Sequence, residues 1–317
     1  MFKKECHIIP RDCPAVGLRL DRVIQGMCGL PRAQVTGMFE HGCVRVNGCL
    51  SVFPGQKVLT GDKVELTYEL GRGYPTRPPR RRQYGFDLVF EDRYLLVVQK
   101  PAGLLSVPTR REESDTLVAR VARYVRETVG EREVFHAHRL DREVSGLLVF
   151  GRTEPLAAAL RDQFAANKPE RIYMALVAGT VASGEPIGTT GTFNSMLATD
   201  SDLNRFSTED ESIGQRAVTH YRVLRRFPDT TLVQIWLETG RRNQIRVQFA
   251  ESGHPVLGDR RYEPTRARHA VWPFPRVALH AKQLGFTHPV SRKLLKFTSP
   301  LPAEMDHFLA AMAEPRR

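Results

Sequence analysis

The chain has 317 residues, a formal net charge of +12, and 41% hydrophobic and 26% charged residues, a composition typical of a globular protein with a sizeable core and room for a smaller module. It has no run of eighteen apolar residues and no apolar N-terminal segment of signal length, so neither a membrane span nor a secretory signal is expected. The excess positive charge favours a polyanionic partner, nucleic acid or an anionic membrane surface, over a merely solvated basic face.

All five cysteines fall within the first fifty residues: Cys6, Cys13, Cys28, Cys43 and Cys49. Their odd number and the lack of a Cys-x-x-Cys pair argue against a disulfide framework and a zinc ribbon. A site formed by Cys43 and His41 would match none of the usual zinc-ligand spacings. We therefore expect buried, reduced thiols, no metal site and a cytoplasmic protein.

The first part of the chain, from about residue 17 to residue 70, has the pattern of one small αβ unit. Apolar residues at helical spacing begin at Leu18, and Pro31 marks the start of a second short helix. Alternating valines followed by an Asn-Gly turn predict a β-hairpin around residues 44–48. A further strand is predicted at residues 63–68.

This unit resembles the alpha-L motif, a small RNA-binding module of a small-subunit ribosomal protein. The matching residues are Arg19-Leu20-Asp21, Arg32, Gly42-x-Val44-x-Val46-Asn47-Gly48 and Gly61-Asp62. The resemblance implies an RNA-binding domain over residues 1–70, with its core at about 16–70, and RNA contact through Arg19 and Arg32. The alternative is a small αβ fold with surface arginines that bind nothing.

Residues 71–83 contain three prolines, two glycines, five arginines and no acidic residue. Such a segment cannot build a core and predicts a basic linker. We expect its run of Arg80, Arg81 and Arg82 to contact RNA phosphates.

Residues 84–317 have the pattern of one larger domain. Strands are predicted at 94–98, 145–150, 172–177, 218–224 and 231–237, and helices at 117–125, 156–164 and 244–250. Strands outnumber helices and no βαβ repeat is evident, so the sequence predicts an α+β domain with a mixed or antiparallel sheet. The weakly periodic segment 183–215 is expected to be a surface loop.

The segment with the strongest functional signal is 138–150, where a polar loop containing Asp141 runs directly into an apolar strand. An aspartate held by a loop against a sheet edge is well placed for catalysis. On these residues alone, the alternative is an Arg-x-Asp pair that only stabilises a turn.

This segment is similar to the catalytic motif of the RluA-type pseudouridine synthases, His-Arg-Leu-Asp-x-x-Thr-Ser-Gly-Leu. Other motifs of that family occur in the expected order, at residues 100–104, 171–179, 239–247, 253–262, 279–281 and 288–302. The resemblance covers the chain from about residue 16 to residue 305. It implies an isomerase that detaches uracil from its ribose and rejoins the two through carbon, with no cofactor and no metal.

The resemblance also implies roles for four residues. Asp141 corresponds to the essential carboxylate, which either attacks the sugar carbon or takes a sugar proton, and Arg246 to the cation that keeps it ionised. Tyr173 corresponds to the aromatic residue that stacks on the uracil and assists removal of its C5 proton. Arg139 corresponds to the arginine that fills the space left by the flipped base.

Three residues depart from the family pattern. Val144 replaces a threonine, which removes a hydroxyl that could brace the loop, and Asn243 and Gln248 replace histidines. We expect these last two side chains not to touch Asp141, Tyr173 or Arg246. The departures motivate an alternative function from another class, a catalytically silent RNA-binding or ribosome-assembly protein on the same fold.

The resemblance implies structured RNA as the partner, with large-subunit ribosomal RNA expected as the substrate and transfer RNA as the alternative. We expect a monomer that contacts no membrane and needs no small-molecule cofactor. A glycosidase or nucleosidase is disfavoured because such enzymes use a second acidic residue, for which Glu143 is the nearby candidate.

Overall fold

A computed structural model of the chain describes residues 2–50, 54, 57–74, 84–130 and 133–312. The chain forms two compact units, Met1–Arg80 with Val290–Phe297, and Arg81–Pro289 with Thr298–Arg317. Most of the predicted linker, including Arg80, Arg81 and Arg82, lies outside the described residues. The linker and its phosphate contacts therefore stay predictions.

Within residues 2–50, 54 and 57–74, the N-terminal unit contains four strands and two helices: β1 (Phe2–Ile8), α1 (Leu20–Cys28), α2 (Arg32–Glu40), β2 (Val44–Val46), β3 (Cys49–Leu50) and β4 (Lys63–Glu69). The strands pair in the order β1-β4-β2-β3, with antiparallel neighbours. Both predicted helices, the hairpin and the strand at 63–68 are present. Strand β1 was not predicted, because its side chains are nearly all exposed and carry no apolar alternation.

The core of this unit forms from one face of each element. Helix α1 buries Leu20, Val23 and Ile24, and β4 buries every second residue, as expected for a strand with one face toward the core. Four of the cysteines are free thiols. The prediction of burial is right for Cys43 but wrong for Cys6, which lies on the exposed strand β1.

The larger unit begins with strands and helices that surround the catalytic motif: β5 (Asp87–Glu91), β6 (Leu95–Lys100), α3 (Leu117–Val129), β7 (Phe135–His136), β8 (Ser145–Gly151), α4 (Glu154–Ala165) and β9 (Glu170–Ala178). The unit continues with β10 (Thr190–Thr199), β11 (Arg205–Thr208), β12 (Gln215–Arg226), β13 (Thr230–Leu237), α5 (Gln244–Glu251), β14 (Leu279–Thr287) and α6 (Ala303–Ala311). Between β14 and α6 the chain forms β15 (Leu294–Thr298), most of which belongs to the N-terminal unit.

The strands form an 11-stranded sheet whose main path runs β11-β10-β12-β13-β9-β14-β8-β6-β5, with β15 beside β14 and β7 beside β8. Along this main path the neighbours are antiparallel except for β14 and β8, which are parallel. The predicted fold class, α+β with a mixed and mostly antiparallel sheet, is therefore confirmed.

One predicted loop is wrong. Within segment 183–215 the structure has a β-hairpin, in which Met196 to Thr199 of β10 pair with Arg205 to Thr208 of β11. The hairpin lies at the end of the sheet, and few of its side chains are buried. Backbone pairing with β12 holds it, so an apolar pattern is not required and the sequence shows none.

The catalytic motif lies where β8 meets β14 at the centre of the sheet. His280 and Ala281 of β14 pair with Ser145 and Gly146 at the beginning of β8. All residues of β8 are buried, so the loop just before it is attached to a rigid, fully packed strand. In the part of the chain that the structure describes, no helix is long and apolar enough to cross a membrane.

Candidate active site

The loop that carries Asp141 is held by backbone contacts on both sides of the aspartate. Before it, the Ser106 hydroxyl donates to the Leu140 carbonyl at 2.6 Å and accepts from the Leu140 N–H at 3.1 Å. After it, the Arg142 carbonyl accepts from the Gly103 N–H at 2.8 Å. The segment at 100–103 therefore forms a turn that holds the loop of Asp141.

Lys100 ties the same two segments together from inside the protein. Its fully buried ammonium donates to the carbonyls of Pro101, Leu104 and Arg142 at 2.9, 2.7 and 3.0 Å. Burial lowers the pKa of Lys100 to about 7, and the negative charge of Asp141 partly opposes that shift. Three carbonyl acceptors match the three hydrogens of the charged form.

His138 braces the loop and does not reach the cavity. Its Nε2 accepts from the Val149 N–H at 3.2 Å, and its ring stacks on Phe164 with centroids 4.3 Å apart. Burial, with the positive charge of Arg171 next in importance, lowers the pKa of His138 to about 3. The ring is therefore neutral at pH 7, which leaves Nε2 free to accept the hydrogen bond from the Val149 N–H.

A cavity of about 160 Å³ opens beside Asp141. A cavity of roughly 150 Å³ accommodates one benzene ring, so this one has the size of a single six-membered ring. Its lining includes the four predicted residues of the larger unit, Arg139, Asp141, Tyr173 and Arg246. These residues come from the loop, from β9 and from α5, and the sheet brings them together.

Arg246 is buried on α5. Its guanidinium forms a bidentate pair with the buried Asp259, at 2.6 and 2.7 Å, and its third nitrogen lies 3.7 Å from the Asp141 carboxylate. Burial by itself would lower the pKa of Arg246, but hydrogen bonds and charge from Asp259 raise it above the usual value, with Asp141 and Glu143 adding to the effect. The site therefore contains a permanent cation beside Asp141.

Tyr173 lies on β9 and is buried against the cavity. Burial raises the pKa of the Tyr173 phenol, the positive charge of Arg171 opposes the shift, and the negative charge of Asp141 adds to it. The phenol therefore stays protonated at pH 7. Its position also leaves an aromatic ring in the wall of a ring-sized cavity, where a flat base could stack.

Asn243 contradicts one expectation, because its side chain reaches Asp141. The carboxamide lies between Asp141 and the Tyr262 hydroxyl, and the orientation that satisfies both places its nitrogen toward the carboxylate. In that orientation Nδ2 donates to the two oxygens of Asp141 at 2.7 and 3.1 Å, and Oδ1 accepts from Tyr262 at 3.0 Å. The expectation failed because local spacing does not show which loops meet.

The other two residues that depart from the family pattern, Gln248 and Val144, are both buried. Gln248 does not line the cavity, and its Nε2 donates to the Ser195 hydroxyl and the Ala217 carbonyl at 3.0 and 2.9 Å. Val144 is buried and lines the cavity. Although it has no hydroxyl, its N–H donates to the Asp141 carbonyl at 3.2 Å and closes the loop.

Two predicted RNA-binding residues of the N-terminal unit lie together around Asp21. Arg19 forms a bidentate pair with this buried carboxylate at 3.1 and 2.9 Å, and Arg32 lies 3.9 Å from it. The hydrogen bonds from Arg19 lower the pKa of Asp21, and burial opposes that shift. Both arginine side chains remain more than half exposed, at 52% and 65%, so they are accessible to a partner.

Sequence reasoning missed Asp259 and Tyr262, which support the site from one short turn. Asp259 holds Arg246 and accepts from the N–H groups of Arg261 and Tyr262 at 2.9 and 3.1 Å. Both residues belong to the Gly-Asp-x-x-Tyr part of a motif at 258–262 that was noted without a role. Among the residues with described structure, no cluster of three or more His, Cys, Asp or Glu side chains could hold a metal ion.

Comparisons with known proteins show which family has a similar sequence. A sequence model of the family described as RNA pseudouridylate synthase matches residues 94–251, a range that includes Asp141, Tyr173 and Arg246. The ribosomal large subunit pseudouridine synthase D of Zymomonas mobilis is 34% identical over 301 residues, which is 92% of each chain. The chain belongs to the RNA pseudouridine synthase family.

Two further proteins of this family resemble the chain, one in sequence and one in fold. The protein of Pseudomonas aeruginosa named ribosomal large subunit pseudouridine synthase D is 34% identical and covers 95% of this chain, which in turn covers 93% of that protein. The structure of human RNA pseudouridylate synthase domain containing 4 has a TM-score of 0.57 at 21% identity, over 71% of this chain and 92% of that one. That structure supports the fold of this pseudouridine synthase.

Proposed function

We propose that this pseudouridine synthase isomerises specific uridines of large-subunit ribosomal RNA, with Asp141 as its essential carboxylate. The observation that carries the proposal is the placement of Asp141 at a ring-sized cavity, 3.7 Å from the buried guanidinium of Arg246. Relatives that are 34% identical over more than nine-tenths of the chain are named ribosomal large subunit pseudouridine synthase D, which supports ribosomal RNA over transfer RNA.

Asp141 acts on the ribose of the target uridine, with the Arg246 guanidinium 3.7 Å from its carboxylate. Breaking the glycosidic bond leaves an electron-poor sugar carbon, and a carboxylate is the side chain that commonly acts at such a centre. Arg246 is already paired with Asp259, so it stays fixed while Asp141 reacts. The Asn243 amide donates to both oxygens of the Asp141 carboxylate and holds it at the cavity.

Tyr173 and Arg139 act on the base and on its neighbours in the RNA. The Tyr173 ring stacks on the extruded uracil, and its phenol takes part in moving the C5 proton. Arg139 lies exposed at the cavity, where its planar guanidinium can fill the gap in the RNA stack. Both roles require the base to leave its helix first.

The N-terminal unit supplies additional RNA affinity in this proposal. Arg19 and Arg32 lie at a shared, exposed edge around Asp21, and Arg80, Arg81 and Arg82 add three further positive charges by sequence. Each such arginine that meets a phosphate adds salt-dependent affinity without sequence specificity. We further propose that the protein acts as a cytoplasmic monomer.

The test is a pseudouridine map of total RNA from cells that lack the gene, complemented with wild type or Asp141→Asn. Carbodiimide labelling followed by primer extension locates each site. We expect specific large-subunit sites to disappear, to return with wild type and not with Asp141→Asn. Removal of an essential catalytic group costs several orders of magnitude in rate, so the variant is expected to be at least about 1,000-fold slower.

Binding of the same RNA by purified Asp141→Asn serves as the control, and we expect its affinity to stay within about threefold of wild type, since Asn keeps the size of Asp. Sites restored by Asp141→Asn would remove this carboxylate from the mechanism. Loss of no site in any RNA class would point instead to a silent RNA-binding protein, and loss of transfer RNA sites alone would correct the substrate.

A further inference from the structure

Asn243 has an unfavourable backbone conformation for which the helix that follows gives no reason. It precedes α5 as the N-cap residue, with φ 54° and ψ 15°, in the left-handed region that non-glycine residues seldom adopt. An asparagine at this position usually accepts a hydrogen bond from the first turn of the helix. Here its side chain forms no such bond, and Gln244 accepts from the Arg241 N–H instead.

A chain of hydrogen bonds holds the Asn243 side chain against Asp141. The Tyr262 hydroxyl accepts from the Arg205 N–H at 3.1 Å, and its own proton goes to the amide oxygen of Asn243. The amide nitrogen is thereby turned toward Asp141, where it meets both carboxylate oxygens. The reverse orientation would face an amide oxygen with a carboxylate, which has no hydrogen to give.

We infer that Asn243 is a positioning residue of the isomerase, which orients the Asp141 carboxylate through an uncharged amide that Tyr262 holds in place. The inference rests on the proposed role of Asp141 in catalysis. Strained backbone at a functional site persists when the surroundings impose it, and here it aims the amide into the cavity.

An uncharged donor matters because the surroundings of Asp141 are already charged. Arg246 faces it from α5 and Lys100 from β6, the Tyr173 phenol lies across the cavity, and its own loop contributes Arg139, Arg142 and Glu143. A carboxamide donates in the same way at every physiological pH, whereas an imidazole at this position would change its charge between about pH 5 and pH 8. The amide therefore makes the orientation of Asp141 independent of a histidine proton.

Two substitutions separate the hydrogen bond from the backbone strain. Asn243→Gly keeps the left-handed conformation at no steric cost but removes the amide, and Asn243→Asp keeps the shape but replaces the donor with a second carboxylate. Asn167 is the matched control, because it is exposed and has the same φ of 54° just after α4. Asn167→Gly and Asn167→Asp therefore test the backbone effect alone.

The kinetic experiment measures kcat and KM on a target RNA from pH 5.5 to pH 9. We expect Asn243→Gly and Asn243→Asp to lower kcat by about 100-fold, as misplacement of a reacting group does, with KM within about threefold. Asn243→His should recover part of the kcat that Asn243→Gly loses, and it should add a change of kcat between about pH 5 and pH 8 to the pH profile of wild type. The Asn167 variants should match wild type.

A second readout needs no turnover. Carbon NMR of aspartate-labelled protein without RNA, with the Asp141 signal assigned from Asp141→Asn, follows its carboxylate during a pH titration. We expect Asn243→Asp to move the titration of that signal to higher pH and Asn167→Asp to leave it in place, since two adjacent carboxylates repel. If Asn243→Asp does not fold, the kcat of Asn243→Gly tests the positioning role by itself.

These experiments distinguish a failure of the proposed function from a failure of the positioning role of Asn243. Wild-type protein without activity on any RNA would defeat the proposed function, and the NMR titration would still show whether Asn243 acts on Asp141. Active wild type with unchanged kcat in Asn243→Gly would overturn the positioning role. An equal loss of kcat in the Asn167 variants would show a general effect of replacing a left-handed asparagine, and it would overturn the positioning role too.

Discussion

Two buried cations beside Asp141 are stabilised in different ways. Arg246 pairs with a buried carboxylate, so its charge is balanced and its pKa is raised. Lys100 hydrogen-bonds to three backbone carbonyls in the described part of the chain, so burial dominates over the charge of Asp141 and lowers its pKa to about 7. Arginine therefore suits a fixed electrostatic role next to a reacting group, whereas the charge of Lys100 depends on pH.

This difference predicts a pH-dependent stability that Lys100→Met should abolish. The unfolded chain keeps the lysine proton up to its ordinary pKa near 10.5, whereas the folded protein releases it above about pH 7. The unfolded state binds more protons between these values, so the unfolding free energy of wild type should rise with pH relative to Lys100→Met, by at most about 1.4 kcal/mol per pH unit.

Urea unfolding at pH 6.5, 8 and 9.5 measures this difference. Both tryptophans, Trp236 and Trp272, lie in the larger unit and report its unfolding by fluorescence. Lys168→Met controls for the loss of one positive charge, because Lys168 is exposed. A constant difference between wild type and Lys100→Met across this range would contradict the shifted pKa.

Individual residues of the candidate site were predictable where a motif is contiguous. The predictions of Asp141, Tyr173 and Arg246 came from three separate segments that resemble family motifs, and the structure brings these residues to one cavity. The contact of Asn243 with Asp141 was predicted wrongly, and the support from Asp259 was not predicted. Both depend on how two loops meet, which spacing within either loop does not encode.

Among the elements, the parallel contact of β8 with β14 is the one on which the catalytic loop depends. Gly146 has a φ of 126° there, and a Cβ on it would lie 2.3 Å from the Ala281 carbonyl oxygen. The neighbouring Ser145 hydroxyl contacts Arg276 and the His280 ring, each at 2.8 Å. Glycine is therefore required where the loop enters the sheet.

Gly146→Ala should accordingly separate β8 from β14 and disturb the catalytic loop. We expect it to lower the unfolding free energy by about 2–4 kcal/mol, from overpacking and backbone strain together, and to reduce activity. Gly130→Ala is the matched control: its φ is 81° and the space around it is open, so it should cost only about 1 kcal/mol. Equal urea midpoints for the two variants would show that the close approach to Ala281 is unimportant.

Elements with a strong apolar pattern were predicted well, and weakly patterned ones were not. Strands β8 and β9 bury long runs or alternate residues, and the predictions at 145–150 and 172–177 fall within them. Strands β10 and β11 are mostly exposed or half-buried and are held by backbone pairing, so segment 183–215 was predicted as a loop. Side-chain patterns indicate burial, and backbone pairing without burial leaves no such pattern.

In the molecule as a whole, positive charge is concentrated toward the N-terminus. Residues 1–83 contain 14 Lys or Arg and 7 Asp or Glu, which gives this quarter of the chain a formal charge of +7 out of +12. Phosphate contacts made by such a segment release counterions, so they appear as a salt dependence of RNA affinity.

The combined substitution of Arg80, Arg81 and Arg82 by Gln tests this in the full chain. We expect weaker RNA binding and a slope of log affinity against log salt that is smaller by about 2, since each lost phosphate contact removes roughly 0.7–0.9. Fluorescence anisotropy at several salt concentrations measures it. The matched control replaces three exposed arginines of the larger unit, Arg110, Arg111 and Arg126. The same slope change in both triple variants would show that net charge, and not this segment, determines the effect.

The amino-acid sequence was sufficient for the fold class and for the family, because both leave local marks: apolar periodicity and contiguous motifs. The order of strands, the parallel approach of β14 to β8 and the amide at Asp141 depended on the folded chain. The physical reason is that these features join residues far apart in sequence. Their free energy arises only when the whole sheet is formed, so no single segment carries their signature.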